Sequence, residues 1–471
     1  MADHDLVIVG MGSGGMPAAE FAASLGLRVA VVERSRVGGD CLWTGCVPSK
    51  ALIASAKVAH HLRTAERYGL PSIEVPPIDT GAVWARIKSI QQSIASTDDD
   101  PARYDDLGVK IVMGDATLVD GTTVAVGERL LSTKYVLLCT GSRPAEVPIP
   151  GLAEVGHLTS EVLFELDRLP DSITFIGGGP ISLELAQSLH RLGLRVAVLD
   201  RGARILPRDE PALAERLQEI LRAEGLDLRH GVTVDRVTVE SGQKVVHATG
   251  ADGVAFEVAA AEIFVGAGRA PNVEGLGLEA LGIETTAKGI TTDDRGRTAV
   301  KTVYAAGDVA GRFLFTHAAA YEAVRAVRDI FFPGKGTWNA TIPWCTFTDP
   351  ELAHVGLTEA EAREQHGDDV HVWSMELGHN DRARADGTDE GLIRIITGPK
   401  GKVLGGHILA VGAGELIHEL AVAEKQGMSI SELAGVVHVY PTVGTSVAML
   451  ASESLFDSAV RIRRLTRFLT P

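Results

Sequence analysis

Two stretches of the chain share one order of apolar and polar positions. The first has an apolar run at 6–9, a glycine-rich turn at Gly10–Gly15, apolar residues at helical spacing over 17–25 and another apolar run at 28–32. The second repeats this order between residues 173 and 199. Short apolar runs bounded by glycine indicate buried strands, and a spacing of three and four residues indicates a helix. Each stretch therefore predicts a strand–helix–strand unit.

Between these units the periodicity predicts mainly helices, and after the second unit it predicts short strands until the pattern changes near residue 344. Residues 151–170 read as a polar, glycine-bounded link. From about Trp344 the chain alternates between strands, such as 392–396, and a helix. The apolar spacing predicts helices over 51–68, 83–96, 317–326 and 415–424.

Both glycine turns have the spacing of dinucleotide-binding sites. The first reads G-x-G-x-x-G at Gly10, Gly12 and Gly15, and Glu33 ends the following strand. Glycines at these positions allow a tight turn and the close approach of a pyrophosphate to a helix N-terminus, while the acid binds a ribose. Two such sites predict electron transfer between two dinucleotides. The corresponding residues of the second site are Gly177, Gly179, Ser182, Asp200 and Arg201.

The segment Gly38–Lys50 contains Cys41 and Cys46, separated by four residues. The surrounding glycines and Pro48, at a predicted helix start, suit a dithiol that opens and closes. The spacing does not match a zinc site, and a structural disulfide is the alternative interpretation. A cysteine in the first turn of a helix gains from the positive end of the helix dipole, which favours Cys46 as the thiolate. Lys50 adds a positive charge one turn later.

Composition excludes several classes of function. A chain of 471 residues with 45% hydrophobic residues predicts several domains. A net charge of −16 argues against binding nucleic acid. The sequence has no apolar run of membrane-spanning length and leads directly into its first strand, which predicts a cytoplasmic location. Four cysteines do not form a disulfide framework, so Cys139 and Cys345 are predicted to be core residues. We predict no metal site.

These motifs together resemble the class I pyridine nucleotide-disulfide oxidoreductase family, in its lipoamide dehydrogenase and mercuric reductase branch. The resemblance covers essentially the whole chain. Besides the glycine turns and the cysteine segment, it rests on the loop Thr140–Pro144, the loop Gly266–Asn272 and an apolar strand that ends in Gly307-Asp308.

The resemblance implies an α/β fold with two Rossmann-like dinucleotide-binding domains and a C-terminal α+β dimerisation domain. The implied segments are 1–150 for FAD and the redox disulfide, 151–270 for NAD(P), 271–343 completing the FAD domain, and 344–471 for dimerisation. FAD is expected at the first glycine turn, NAD(P)H at the second, and the protein is expected to be a homodimer. Further FAD-site residues implied by the family are Lys50, Thr140, Gly141, Asp308 and His317. Gly268, in the loop that leaves the nicotinamide domain, is a further implied cofactor-binding residue.

The family mechanism passes electrons from NAD(P)H to the flavin and then to the Cys41–Cys46 disulfide. Cys46 would lie next to the flavin and Cys41 would meet the acceptor. Glu184 would pair with Lys50. NADH is slightly favoured, because an acid at Asp200 suits the ribose 2′-hydroxyl, although Arg201 and Arg204 could bind a 2′-phosphate.

The C-terminal motif departs from the family pattern His-Pro-Thr-x-x-Glu. Tyr440 stands at the position of the base and Thr445 at the position of the glutamate, while His438 falls two residues earlier. A phenol is a poor general base at neutral pH. The predicted acceptor is therefore a small molecule that depends less on base-assisted thiol interchange, namely a small disulfide, a quinone or a metal ion. Two alternatives stay open: a true dihydrolipoamide dehydrogenase with an altered proton path, and a non-catalytic redox-sensing flavoprotein.

Overall fold

The computed structural model describes residues 2–332, 334 and 341–466. The longer strands within them are β1 His4–Val9, β2 Val29–Glu33, β3 Lys110–Met113, β4 Ala116–Asp120, β5 Thr123–Val126, β6 Arg129–Leu138, β7 Ser142–Pro144, β8 Ser172–Ile176, β9 Arg195–Leu199, β10 Asp227–Arg229, β11 Thr233–Glu240, β12 Gln243–Thr249, β13 Ala255–Ala260, β14 Glu262–Val265, β15 Arg269–Pro271, β16 Thr285–Thr286, β17 Gly289–Ile290, β18 Val303–Ala305, β19 Trp344–Thr346, β20 Glu351–Gly356, β21 His371–Glu376, β22 Leu392–Thr397 and β23 Val403–Ala410.

The α-helices lie between groups of these strands along the chain. They are α1 Gly15–Ser24, α2 Gly39–Trp43, α3 Cys46–Arg63, α4 Thr80–Ala95, α5 Pro101–Asp106, α6 Leu152–Val155, α7 Ser160–Leu163, α8 Pro180–Arg191, α9 Pro211–Ala223, α10 Thr316–Phe331, α11 Glu359–His366, α12 Asp381–Ala385, α13 Ala413–Gln426, α14 Ile430–Leu433 and α15 Thr445–Thr466. In the part of the chain described, none of these helices combines the length and apolarity needed to cross a bilayer.

The described residues form two compact units. The first comprises those within 1–55, 79–170 and 262–339, and the second those within 56–78, 171–261 and 340–471. The chain enters each unit more than once, so neither unit is one continuous stretch of sequence. The four segments implied by the family resemblance remain a prediction.

In the first unit, a parallel sheet carries the first glycine turn. Strands β3, β2, β1 and β6 are adjacent in that order, and β18 also pairs with β6. Because successive strand residues point to opposite faces, Leu6 and Ile8 pack on the side of α1 and α10, whereas Val7 and Val9 pack into a separate core on the other side. Both faces are thus covered, as expected for parallel strands.

The second unit contains a second parallel sheet and two antiparallel sheets, one of them formed by β11, β12 and β13. Strands β8, β9 and β10 are parallel and lead into and out of α8. The C-terminal strands pair in the order β19, β20, β23, β22 and β21, and helices α13 and α15 share a hydrophobic core with them. The chain therefore has the predicted α/β fold class with a C-terminal α+β part.

Helix boundaries differ from the sequence prediction where capping residues decide them. Helix α4 begins after Asp79, whose carboxylate accepts a hydrogen bond from the N–H of Gly81. The predicted polar link 151–170 is instead folded, because Leu152 and Leu163 are buried in the short helices α6 and α7. Helix α9 was not predicted at all.

The two remaining cysteines differ in burial. Cys139 is buried in the core, as predicted. Cys345 was also predicted to be a core residue; it is only half-buried but packs against the C-terminal core. It lies on β19, which is an edge strand of its sheet among the described residues.

Two neutral histidines are buried in the C-terminal sheet. The rings of His354 and His407 lie 4.7 Å apart, and His354 also stacks on Trp344 at 3.6 Å. Nε2 of His354 lies 2.9 Å from the carbonyl of Gly356, and Nε2 of His407 lies 3.1 Å from that of Leu357. Burial lowers the pKa of His354 to about 3 and the pKa of His407 to about 4.

We therefore expect this protein to lose stability as the pH falls from 6.5 towards 4. In that window the unfolded chain binds protons on both histidines and the folded chain does not, which costs roughly 3 kcal/mol per histidine. Denaturant unfolding at a series of pH values measures the slope. His354→Phe keeps an aromatic ring against Trp344 but cannot titrate, so it should flatten the slope. An unchanged slope in this variant would contradict the assignment.

Candidate functional site

Packing explains two of the three glycines in the first turn. A Cβ added at Gly10, where φ is +100°, would lie 2.3 Å from the carbonyl oxygen of Cys139, and one at Gly15 would lie 1.9 Å from that of Gly10. At Gly12 the nearest atom is the Cα of Gly39, at an ordinary 3.5 Å. The protein itself thus has room for a side chain at residue 12, and the glycine keeps the surface before α1 open for a ligand.

Glu33 closes the turn from the end of β2. It is only 8% exposed, and its carboxylate accepts hydrogen bonds from the N–H groups of Met11 and Ser35, each at 2.8 Å. A carboxylate has about four acceptor positions, so ribose hydroxyls can still bind. The open glycine turn and this acid fit a dinucleotide such as FAD. When bound there, FAD would supply a two-electron redox centre.

The cysteine segment packs directly against this turn. The N–H of Gly38 donates to the carbonyl of Met11 at 3.0 Å. A Cβ at Gly39, where φ is +58°, would lie 2.8 Å from the Cα of Gly12, so this contact requires glycine. The two glycines before Cys41 therefore bring the cysteine pair beside the dinucleotide turn.

The two cysteines lie in successive helices. Cys41 lies in α2, and α3 begins at Cys46, which confirms the predicted helix start. The pKa of Cys41 is raised, mainly by its hydrogen bond with Cys46 and then by burial. Cys46 lies at the N-terminus of α3, where the helix dipole stabilises a thiolate.

Thr316 was missed by sequence reasoning. It is the first residue of α10, and its Oγ1 lies 3.3 Å from Sγ of Cys46. His317, which was predicted instead, is exposed and stacks on Phe315 with 5.5 Å between ring centroids. The helix start next to a predicted cofactor contact could have drawn attention to Thr316, but nothing in the sequence pairs residue 316 with residue 46.

A second missed group surrounds Asp308. Its Oδ2 accepts a hydrogen bond from Oγ of Ser142 at 2.5 Å, and Nε of Arg269 donates to the same Oγ at 2.7 Å. Arg269 also forms an ion pair with Asp40 at 3.0 Å. The predicted ribitol contact therefore belongs to a network that begins one residue before Cys41.

The two predicted connecting loops are bound to each other within the first unit. Oγ1 of Thr140 donates to the carbonyl of Asn272 at 2.7 Å, and the amide of Asn272 donates back to the carbonyl of Thr140 at 2.9 Å. Gly141 and Gly268 have φ values of +68° and +126°, which favour glycine. The loops fix the position of Ser142 and Arg269.

The second glycine turn has a similar construction in the second unit. Gly177 has a φ of +106°, and the carboxylate of Asp200 accepts from the N–H groups of Gly178 and Gly202 at 3.0 and 3.1 Å. Gly179 immediately precedes α8. Ser182 is fully buried, so it serves the close packing of the third fingerprint position and does not fit the predicted contact with the ligand.

The two arginines after Asp200 differ in whether their guanidinium groups could bind a 2′-phosphate. The guanidinium of Arg204 donates to four backbone carbonyls, at residues 205, 206, 207 and 209. Arg201 is exposed. Only Arg201 therefore keeps the freedom to reach a 2′-phosphate.

Glu184 is buried, and its carboxylate accepts a hydrogen bond from the N–H of Phe347 at 2.9 Å. Glu184 belongs to the second unit and Lys50 to the first. Their pairing stays a prediction.

The C-terminal motif contains two carboxylate contacts that the sequence did not indicate. Tyr440 is exposed, and its hydroxyl donates to Asp381 at 2.9 Å. His438 is held on both ring nitrogens, by the carbonyl of Val436 at 3.0 Å and by Glu419 at 2.9 Å. Among the described residues, no group of three or more His, Cys, Asp or Glu side chains is arranged to hold a metal ion.

Comparison with known proteins covers nearly the whole chain. The family model "Pyridine nucleotide-disulphide oxidoreductase" matches residues 4–323, and the model of its dimerisation domain matches residues 342–451. A mercuric reductase of Streptomyces lividans is 34% identical over 470 residues, which cover 97% of each chain. A dihydrolipoyl dehydrogenase of Thermus scotoductus is 34% identical over 472 residues, covering 98% of this chain and 99% of the relative.

A solved structure also matches. The HOCl-induced flavoprotein disulfide reductase RclA from Escherichia coli aligns with a TM-score of 0.85 at 25% identity, over 95% of this chain and 99% of that protein.

Fold and site together define an oxidoreductase in which a dinucleotide turn lies beside a cysteine pair. With these matches, the chain belongs to the pyridine nucleotide-disulphide oxidoreductase family. It is thus a flavin-dependent enzyme that uses FAD and a pyridine nucleotide. Its dimerisation domain supports a homodimer.

Proposed function

We propose that this enzyme passes electrons from NADH through FAD to the Cys41–Cys46 disulfide and on to a small-molecule acceptor in the cytoplasm. The observation that carries the proposal is the packing of Gly39 on Gly12, which brings the cysteine pair to the dinucleotide turn. In this proposal Cys46 is the thiol beside the flavin and Cys41 is the thiol that meets the acceptor.

The remaining residues are proposed to stabilise the Cys46 thiolate and to place charged groups beside the flavin. Thr316, with its hydroxyl 3.3 Å from Cys46 Sγ, stabilises the thiolate, together with the N-terminus of α3. Lys50 and Glu184 are proposed to pair beside the flavin. Electrons leave as Cys41 and Cys46 return to the disulfide, and the one thiol proton, on Cys41, is released to solvent or to the acceptor because Cys46 is already a thiolate.

Tyr440 is proposed to be a hydrogen-bonding group at the acceptor side, without acting as a base. Its hydrogen bond to Asp381 raises the pKa of the phenol, so Tyr440 stays protonated at neutral pH. His438 does not fit the role of the family's base, because both of its ring nitrogens are already engaged. The proposed acceptors are therefore those that do not require a strong base: a quinone, a metal ion or an activated small disulfide.

One panel of acceptors tests the proposal. NADH oxidation by the FAD-loaded enzyme is measured with benzoquinone, Hg(II), oxidised glutathione and lipoamide. Turnover of the quinone or the metal ion well above that of lipoamide supports the proposal. Fast lipoamide turnover would favour a true dihydrolipoamide dehydrogenase with another proton path, and no turnover with any acceptor would favour a redox-sensing role.

We expect a preference for NADH over NADPH of at least tenfold in kcat/KM. Asp200 is a carboxylate at the ribose position, which repels a 2′-phosphate, and Arg204 is bound to backbone carbonyls. Steady-state kinetics with both nucleotides measures the ratio. Arg201→Ala should change it little, with Arg195→Ala as the matched exposed arginine on β9. A preference for NADPH that disappears only in Arg201→Ala would contradict this expectation.

A further inference from the structure

A largely buried arginine joins the cysteine segment to the predicted flavin-binding carboxylate. The side chain of Arg269 is 13% exposed. Its Nη2 lies 3.0 Å from Oδ2 of Asp40 and donates to the carbonyl of Ser142 at 3.0 Å. Its Nε donates to the hydroxyl of Ser142, which donates to Asp308. All four residues belong to the first unit, so the network is continuous within it.

The charged neighbours in this network shift the pKa of Asp308 in opposite directions. Burial raises the pKa of Asp308, the hydrogen bond from Ser142 and the charge of Arg269 lower it, and the charge of Asp40 raises it. Nε of Arg269 is 3.7 Å from Oδ2 of Asp308. Glu322 is a further acidic neighbour, and burial raises its own pKa to about 7.

We propose that Arg269 is a positioning residue that keeps Asp308 ionised and oriented for FAD, and that Asp40 opposes this effect. The inference rests on the proposed contact of Asp308 with the ribitol chain. An ionised carboxylate accepts hydrogen bonds at both oxygens, whereas a protonated one loses an acceptor. The fixed fork of the guanidinium can hold Ser142 and Asp40 at once. The residue before Cys41 thereby influences how firmly the flavin is held.

Release of FAD from the holoenzyme tests this inference. The holoenzyme is diluted at a series of pH values between 8 and 4, and free FAD is measured by its fluorescence. Arg269→Gln should raise the FAD Kd about tenfold, the effect of losing one hydrogen-bonding partner of a charged group. It should also move the release midpoint to higher pH, because Asp308 then takes up a proton more readily.

Asp40→Asn should have the opposite effect. It removes a negative charge that disfavours ionised Asp308, so the release midpoint should move to lower pH. The change in Kd should be smaller, roughly threefold, because the side chain of Asp40 is 42% exposed and its charge is screened by solvent. Arg269→Lys keeps the charge without the fork and should lie between the native enzyme and Arg269→Gln.

Arg28→Gln is the matched control. Arg28 precedes β2 in the first unit, at the end of that strand away from Glu33, and forms an ion pair with Asp5 at 3.2 Å. Its loss should leave FAD release unchanged. Shifts of Arg269→Gln and Asp40→Asn in the same direction would overturn the inference, since the network would then be only structural.

Asp308→Asn separates this inference from the proposed function. It should weaken FAD binding and remove most of the pH dependence of release. If Asp308→Asn holds FAD as the native enzyme does, the ribitol assignment itself is wrong. If it weakens binding while Arg269→Gln and Asp40→Asn do not, only the inference about Arg269 is wrong.

Discussion

Cys46→Ser should abolish disulfide reduction, with a loss on the order of 10³-fold or more, the scale seen when a reacting nucleophile is removed. If Cys46 is the thiol beside the flavin, one equivalent of NADH should leave the native enzyme with a Cys46 thiolate next to oxidised FAD, and this pair should absorb at long wavelength. Cys46→Ser cannot form that thiolate and should lack the band. Cys41→Ser cannot close the disulfide, so it should show the band before any reductant is added.

Spectra of the FAD-loaded variants before and after NADH measure these differences. Cys345→Ser is the matched control, because it removes a half-buried thiol outside the pair. Thr316→Val should weaken the band at neutral pH, because the thiolate loses the hydroxyl 3.3 Å away. A band that survives in Cys46→Ser and is absent from Cys41→Ser would reverse the roles proposed for the two cysteines.

Tyr440→His should raise lipoamide turnover by a factor on the order of 10², while quinone turnover changes little. In the proposed function Tyr440 does not act as a base, and a positioned base typically contributes on the order of 10²–10⁴-fold in acid–base catalysis. Asp381 lies 2.9 Å from the hydroxyl of Tyr440, so a carboxylate is already near this position. The shorter imidazole would pair with it after a shift of the Asp381 side chain, without a change at Thr445. Quinone reduction does not depend on thiol interchange and so should not respond.

Initial rates with lipoamide and benzoquinone across pH 6–8 measure the two effects. Tyr440→Phe controls for loss of the hydroxyl, and Tyr440→His combined with Asp381→Asn should lose most of the gain. Rapid lipoamide turnover by the native enzyme near neutral pH would argue that another group supplies the proton path.

The sequence predicted the fold class and the two glycine turns because each depends on local signals. Glycine spacing, apolar runs and an acid one strand later lie within about 30 residues of one another in such units. Cys41 and Cys46 were found for the same reason. Their neighbour Thr316 was not, because it reaches Cys46 across 270 positions of the chain.

The other omissions have the same physical origin. Arg269 contacts Ser142 because β15 pairs with β7, and the sequence does not reveal that pairing. Asp381, the first residue of α12, contacts Tyr440 across 59 positions of the chain. Ser182 matched the fingerprint position, but whether such a side chain faces the ligand or the core depends on how closely α8 packs, which spacing alone does not determine.

Alanine substitutions in the first glycine turn should distinguish the glycines that folding requires from the glycine that FAD binding requires. Alanine at Gly10 or Gly15 would collide with backbone atoms, so a library screened only for protein abundance should already reject it. Alanine at Gly12 meets nothing closer than 3.5 Å in the protein and should pass such a screen, yet fail one that selects for bound flavin. A comparison of the two screens would therefore show which of the glycines in this loop are retained for the ligand and which for the architecture.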